Sequence, residues 1–116
     1  MSPESTRDWR LYCDDILESC EKIRRYVAGM TYETFVADDR TRDAVIPNIE
    51  IIGEAAKRLP DDVIARAPNV PWRKVRGMRD VVAHGYFGVE NLLVWSTVTT
   101  KIDEIESAVR ALLATS

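Results

Sequence analysis

The sequence predicts an all-α fold, an up-and-down bundle of four to five helices in a single domain spanning residues 1–116. Three observations carry this: apolar residues recur at steps of three and four along three long segments, boundary residues flank those segments, and no convincing alternating strand pattern occurs. In the first segment Tyr12, Ile16, Cys20, Ile23 and Val27 share one helical face, and Gly29 is placed to close the last turn. In the second, Val45, Ile49, Ile52, Ala56 and Leu59 form the stripe, with Asp38 or Asp39 as N-cap and Pro60 at the end. Pro47 lies inside this stripe. A proline there lacks an N–H and crowds the carbonyl four residues back, so the expectation is a kink or a later helix start.

A short helical stretch, DDVIARA, follows Pro60, and then comes a proline-rich turn with Pro68, Asn69 and Pro71. Pro71 is read as the opening of a fourth helix, running from Trp72 to His84 and ending near Gly85. The last segment, from about Glu90 to Ala114, carries Trp95, Val98, Ile102, Ile105, Val109 and Leu112 as a seam facing other helices.

Composition narrows the function classes. With 46% hydrophobic and 30% charged residues the 116-residue chain falls in the globular range and has enough length for one core. The net charge of −3 excludes whole-chain attraction to nucleic acid or anionic lipid, so any polyanion site must be a local basic patch. No apolar run approaches the roughly 18 residues of a membrane span, and the first residues lack the pattern of a secretion signal, so a cytoplasmic location is expected. Cys13 and Cys20 lie ~10 Å apart along one helix, too far for a disulfide, and read as reduced core residues. One histidine and two such cysteines give no zinc-ligand spacing, so no protein-built metal site and no cofactor are expected.

The chemistry-bearing residues cluster on the fourth helix. Steps of about 100° put Val75, Met78, Val81 and Val82 toward the core and Arg76, Arg79, Asp80, Ala83 and His84 on the other side. The single histidine thus projects away from the apolar stripe. Asp80 precedes His84 by one helical turn, within reach to accept an imidazole N–H and fix its tautomer; equally, Asp80 has Arg76 one turn earlier as an ordinary surface partner. His84 near a helix C-terminus also satisfies the macrodipole without any catalytic role. Arg79 and His84 are separated by about 140° around the axis, a poor geometry for one chain to focus both on one phosphate. Two such helices meeting across a two-fold axis would bring two Arg/His pairs into one cleft. Arg66, Arg73, Lys74 and Arg76 join Arg79 in a stretch with five basic residues and no acidic one, read either as a polyanion patch or as a solvated surface.

Arg79, four residues, His84, one residue and Tyr86, set in PWRKVRGMRDVVAHGYFGV and preceded by VIPNIEIIGEAAKRLPDDVIARAPNVPW, resemble the HepT-like branch of the HEPN superfamily over nearly the whole chain. The resemblance implies a helical-bundle toxin that cuts RNA without a metal and is paired with a minimal nucleotidyltransferase antitoxin of the MntA kind; with the two-fold pairing above, a homodimer through the motif helix is expected. It assigns proton transfer to His84 and phosphate binding to Arg79; Asp80 takes the orienting role, and Arg73, Lys74 and Arg76 the RNA backbone. Tyr86 matches the tyrosine to which the antitoxin attaches AMP, whose charge and bulk would close the cleft to RNA; without the resemblance, Tyr86 and Phe87 read as cover for the bundle end. Two other functions use the same residues: a non-catalytic subunit that presents nucleotide or substrate to a nucleotidyltransferase, and a purely structural dimerisation bundle.

Overall fold

The structure, a computed structural model, describes residues 8–78 and 91–116. Every regular element among them is helical. Three long rods dominate: α1 (Trp9–Val27), α3 (Asp39–Lys57), and a continuous rod made of α6 (Asn91–Ser96), a π-helical segment (Thr97–Lys101) and α7 (Ile102–Ala114). The short helices α2 (Tyr32–Val36), α4 (Asp61–Ile64) and α5 (Trp72–Arg76) connect and cover them.

The stripes read from the sequence are the core. Ile16, Cys20 and Ile23 of α1, Val45, Ile49, Ile52 and Ala56 of α3, and Ile102, Ile105, Val109 and Leu112 of α7 are all buried. Contacts at both ends set α1 and α7 antiparallel. Arg24, near the end of α1, meets Asp103 and Glu106 near the start of α7 at 2.6 and 2.8 Å, while Trp9 at the start of α1 lies under Arg66, which donates to Thr115 just past the end of α7.

Helix ends follow local chemistry. Asp8 accepts from the Arg10 amide at 3.0 Å and Asp38 from the Thr41 amide at 3.1 Å, each satisfying an orphan donor of a first turn. After α1, Ala28 (φ −55, ψ 127) and Gly29 (φ +76) form a type II turn closed by Met30 N–H to Val27 O at 3.0 Å. Gly29 is required for its backbone angle, since a Cβ there would meet nothing within 4 Å.

Four features depart from the sequence reading. First, α3 neither starts late nor ends at Pro47: it begins at Asp39 and runs through the proline. Pro47 and Asp43, whose carbonyl loses its partner, are exposed, so water can satisfy that carbonyl. The buried Asn48 side chain adds a donor at this level, bonding Ala44 O at 2.9 Å. Second, α2, closed by a reciprocal Thr31–Thr34 capping box, was absent from the reading; its Phe35 is fully buried and packs 5.1 Å from Trp95. Third, the last rod is not a uniform α-helix. Val94, Val98 and Ile102 follow at steps of four because the wider π turn needs more residues to return to the same face. Ile102 N–H reaches Thr97 O, and the Thr97 and Thr99 hydroxyls donate to Leu93 O and Trp95 O at 2.9 and 2.8 Å, occupying carbonyls around the irregular turn. Trp95, expected in the seam, is only half-buried, and Val94 takes the inward position.

Fourth, the helix expected to be continuous from Trp72 breaks at Gly77. Its N–H bonds back to Arg73 O at 3.1 Å as α5 closes, and Met78 is helical again beyond it. Glycine costs about 1 kcal/mol in a helix interior, so this is where the chain yields. Pro71 stands as N-cap rather than inside the first turn. Val75 and Met78 are buried as expected, and Trp72 is buried with them; Val81 and Val82 lie outside the described residues.

Candidate functional site

The motif residues Arg79, Asp80, His84 and Tyr86 lie outside the described residues, which reach both flanks of the segment, at Met78 and at Asn91. The site is therefore built from what those flanks rest on.

The leading flank is α5, held at its start by the Trp72 indole, which donates to Ala67 O at 3.0 Å and ties the proline-rich turn to the helix. Trp72 and Val75 face inward, and this leaves Arg73 and Lys74 exposed. Neither makes an ion pair with another described residue, so their charge is available to an anion. Arg76 is different. Its Nε donates to Ala56 O at 3.1 Å and its Nη2 to Leu59 O at 2.9 Å, with Asp61 3.7 Å away. A guanidinium bridging carbonyls at the end of α3 also meets the negative pole of that helix.

The trailing flank begins at Asn91. Its Oδ1 accepts from Arg42 Nη1 at 3.2 Å, and Arg42 Nη2 is paired with Asp39 in the first turn of α3. The Arg42 Nε is buried and has no hydrogen-bond partner among the described residues. The structure thus links both flanks to opposite ends of α3. The Arg42–Asn91 bond joins residues 49 apart and left no local signal in the sequence.

The basic stretch does not form one patch. Arg66 lies 5.6 Å above the Trp9 ring and donates to Thr115 Oγ1 at 3.0 Å, an association with the chain ends rather than with α5. Arg73 and Lys74 remain as the exposed pair next to the motif. Beside them an apolar cavity of about 720 Å³ opens between α3, α5 and the last rod, lined by Ile49, Val75, Met78, Leu93, Val94 and Ile105 and edged by Lys74 and Lys101.

The cysteines are buried in the core. Burial raises the Cys13 thiol to about 11 and the Cys20 thiol to about 12, so both stay protonated, and both are free of disulfides. Among the described residues no group of three or more His, Cys, Asp or Glu is arranged to hold a metal ion, and no helix is long and apolar enough to cross a membrane.

The described residues form an all-helical bundle whose exposed cations lead into a stretch that reads Arg-x4-His-x-Tyr in the sequence. Residues 16–112 match the profile described as "Ribonuclease HepT-like", and the chain belongs to that HepT-like family. It is 39% identical over 104 residues to "Putative RNase TTE0752" of Caldanaerobacter subterraneus subsp. tengcongensis, covering 90% of this chain and 93% of that protein. It is likewise 39% identical over 100 residues to "Probable ribonuclease HepT" of Thermococcus cleftensis, covering 86% and 91% of the two chains. "Putative RNase MJ0127" of Methanocaldococcus jannaschii is 39% identical over 108 residues, covering 90% and 89%. No solved structure matches the chain significantly.

Proposed function

We propose that this chain is a metal-independent endoribonuclease, the toxin of a toxin–antitoxin pair acting in the cytoplasm. The observation that carries the reading is the family match over residues 16–112, with Arg79, His84 and Tyr86 in motif order inside it.

In this reading two copies associate through their motif segments and share one cleft, which relieves the poor Arg79–His84 geometry within a single chain. RNA enters with its backbone against the exposed Arg73 and Lys74. Arg76, also in the basic stretch, has donors engaged with α3 carbonyls and so contributes charge to the approach more than a direct phosphate bond. His84, oriented by Asp80, takes the proton of a ribose 2′-hydroxyl as its oxygen attacks the adjacent phosphorus. The P–O5′ bond breaks, the departing oxygen takes up a proton, and the products are a 2′,3′-cyclic phosphate and a 5′-hydroxyl. Arg79 stabilises the charge that builds on the phosphoryl oxygens. An MntA-like nucleotidyltransferase silences the enzyme by joining AMP to the Tyr86 hydroxyl, with pyrophosphate leaving from ATP; the added charge and bulk exclude RNA.

The test is cleavage of RNA by purified protein in excess chelator, with His84→Ala and Arg79→Ala beside the wild type. Cleavage by the wild type and its loss in both variants, with helical content unchanged, is the expected result. Binding without cleavage would instead favour a non-catalytic nucleotide-binding subunit, and variants indistinguishable from wild type in every binding assay would favour a structural bundle. The Tyr86 step is read by mass: incubation with the partner nucleotidyltransferase and ATP adds AMP to the wild type and nothing to Tyr86→Phe. An unmodified wild type in the presence of active transferase would remove this step.

A further inference from the structure

The two flanks of the motif segment are each tied by an arginine to α3, at opposite ends of that helix. We propose that Arg76 and Arg42 are positioning residues for the reaction: together they fix the chain on either side of the motif, at the end of α5 and at Asn91. The proposal rests on the ribonuclease reading for its activity assay but makes a separate claim about the free protein.

α5 closes at Gly77, and Arg76 is its last residue. The Arg76 fork spans the carbonyl of Ala56 in the last turn of α3 and that of Leu59 just past its cap, three residues apart, which constrains distance and direction in a way that a single point charge does not. At the other end Arg42 is set by Asp39, one turn earlier on α3, and reaches Asn91, the first described residue after the segment. Both links draw on α3, whose Val45, Ile49, Ile52 and Ala56 are buried, so the reference to which the flanks are tied is itself part of the core.

A positioning role and a direct RNA contact give opposite kinetic signatures. Displacing a reacting group by about 1 Å costs up to about a hundredfold in rate without weakening the hold on substrate. Removing a phosphate contact weakens binding and lowers the salt slope of affinity by about one.

The experiment compares wild type with Arg76→Gln, Arg76→Lys, Arg42→Gln and Asn91→Ala, using Arg24→Gln, in the α1–α7 contact, as a control for general loosening. Single-turnover cleavage of an RNA oligonucleotide gives rate and apparent affinity. His84 is the only histidine in the chain, so its imidazole NMR signal reports the motif directly in the free protein. The expectation for the four α3-linked variants is a rate at saturating RNA lowered about tenfold to a hundredfold, apparent affinity within about twofold, and a shifted His84 signal with an altered titration midpoint. Arg24→Gln leaves both unchanged. The lysine variant is expected to fail like Arg76→Gln, because it keeps the charge and loses the fork.

The proposal is overturned by an unmoved His84 signal in both Arg76→Gln and Arg42→Gln, by full rescue with lysine, or by losses confined to affinity with a reduced salt slope. Failure of the ribonuclease reading shows itself differently: no His84-dependent cleavage by the wild type, with the NMR comparison still deciding whether the arginines position the segment.

Discussion

Arginines join helices in two places, and they do so with different partners. Between α1 and α7, Arg24 meets the carboxylates of Asp103 and Glu106, and Arg110 adds a second contact to Glu106 at 3.2 Å. Between α3 and the flanks of the motif, Arg76 and Arg42 meet backbone carbonyls and a side-chain amide. Carboxylates titrate and exposed ion pairs contribute little to stability, whereas carbonyls keep their acceptor character at any pH and reward the planar fork. The first contact ties two helices that the core already holds; the second ties α5 and Asn91, the described residues on either side of the motif, to α3.

Ile52→Ala provides the reference for this contrast. Ile52 is fully buried in the middle of α3, and its truncation is expected to cost about 2–5 kcal/mol in denaturant unfolding, loosening both regions together. A loss near zero would mean that α3 is not the shared anchor. Arg76→Gln comes next, at about 1–3 kcal/mol for two hydrogen bonds to a charged donor, with the same deficit at pH 7 and pH 4 because carbonyl acceptors do not titrate. A deficit that vanished in acid would shift the weight of the interaction to Asp61.

Gly29→Ala tests a turn outside both regions and is expected to cost about 1–2 kcal/mol, since alanine must adopt the left-handed angle that glycine holds at φ +76. Glu106→Gln is the smallest, about 0.2–1 kcal/mol at pH 7. The Arg24 guanidinium, by hydrogen bonding, holds the Glu106 carboxyl below its usual 4.5. A depressed carboxylate contributes stability above its unfolded value and loses it as pH falls through the folded one. The gap between Glu106→Gln and wild type in thermal melts is therefore expected to close below about pH 4.3. A gap that widened in acid would reverse the assignment.

The helical periodicities were legible because burial of one stripe dictates them: α1, α3 and α7 bury nearly the residues the spacing selects. What escaped were features decided by non-local contacts. The five residues of α2 are too few for a period, and Phe35 is fixed by packing against Trp95. Pro47 argued for a break by its own chemistry, and solvent exposure on that face overrode it. Gly77 reads as helix interior from spacing alone, and α5 closes there instead. On the functional side, the family was readable from residue order, and the family match over residues 16–112 agrees with that reading. The division of the basic stretch was not readable: Arg66 turns to Trp9, Arg76 to α3, and Arg73 with Lys74 remain exposed.

The most direct measurement is the chemical nature of the ends left on RNA cut in the presence of chelator, determined by mass spectrometry. Fragments ending in a 2′,3′-cyclic phosphate, opposite 5′-hydroxyls, and absent when His84→Ala replaces the wild type, are the predicted result. Intact RNA, or fragments carrying 5′-phosphates and 3′-hydroxyls that form equally with His84→Ala, would contradict it.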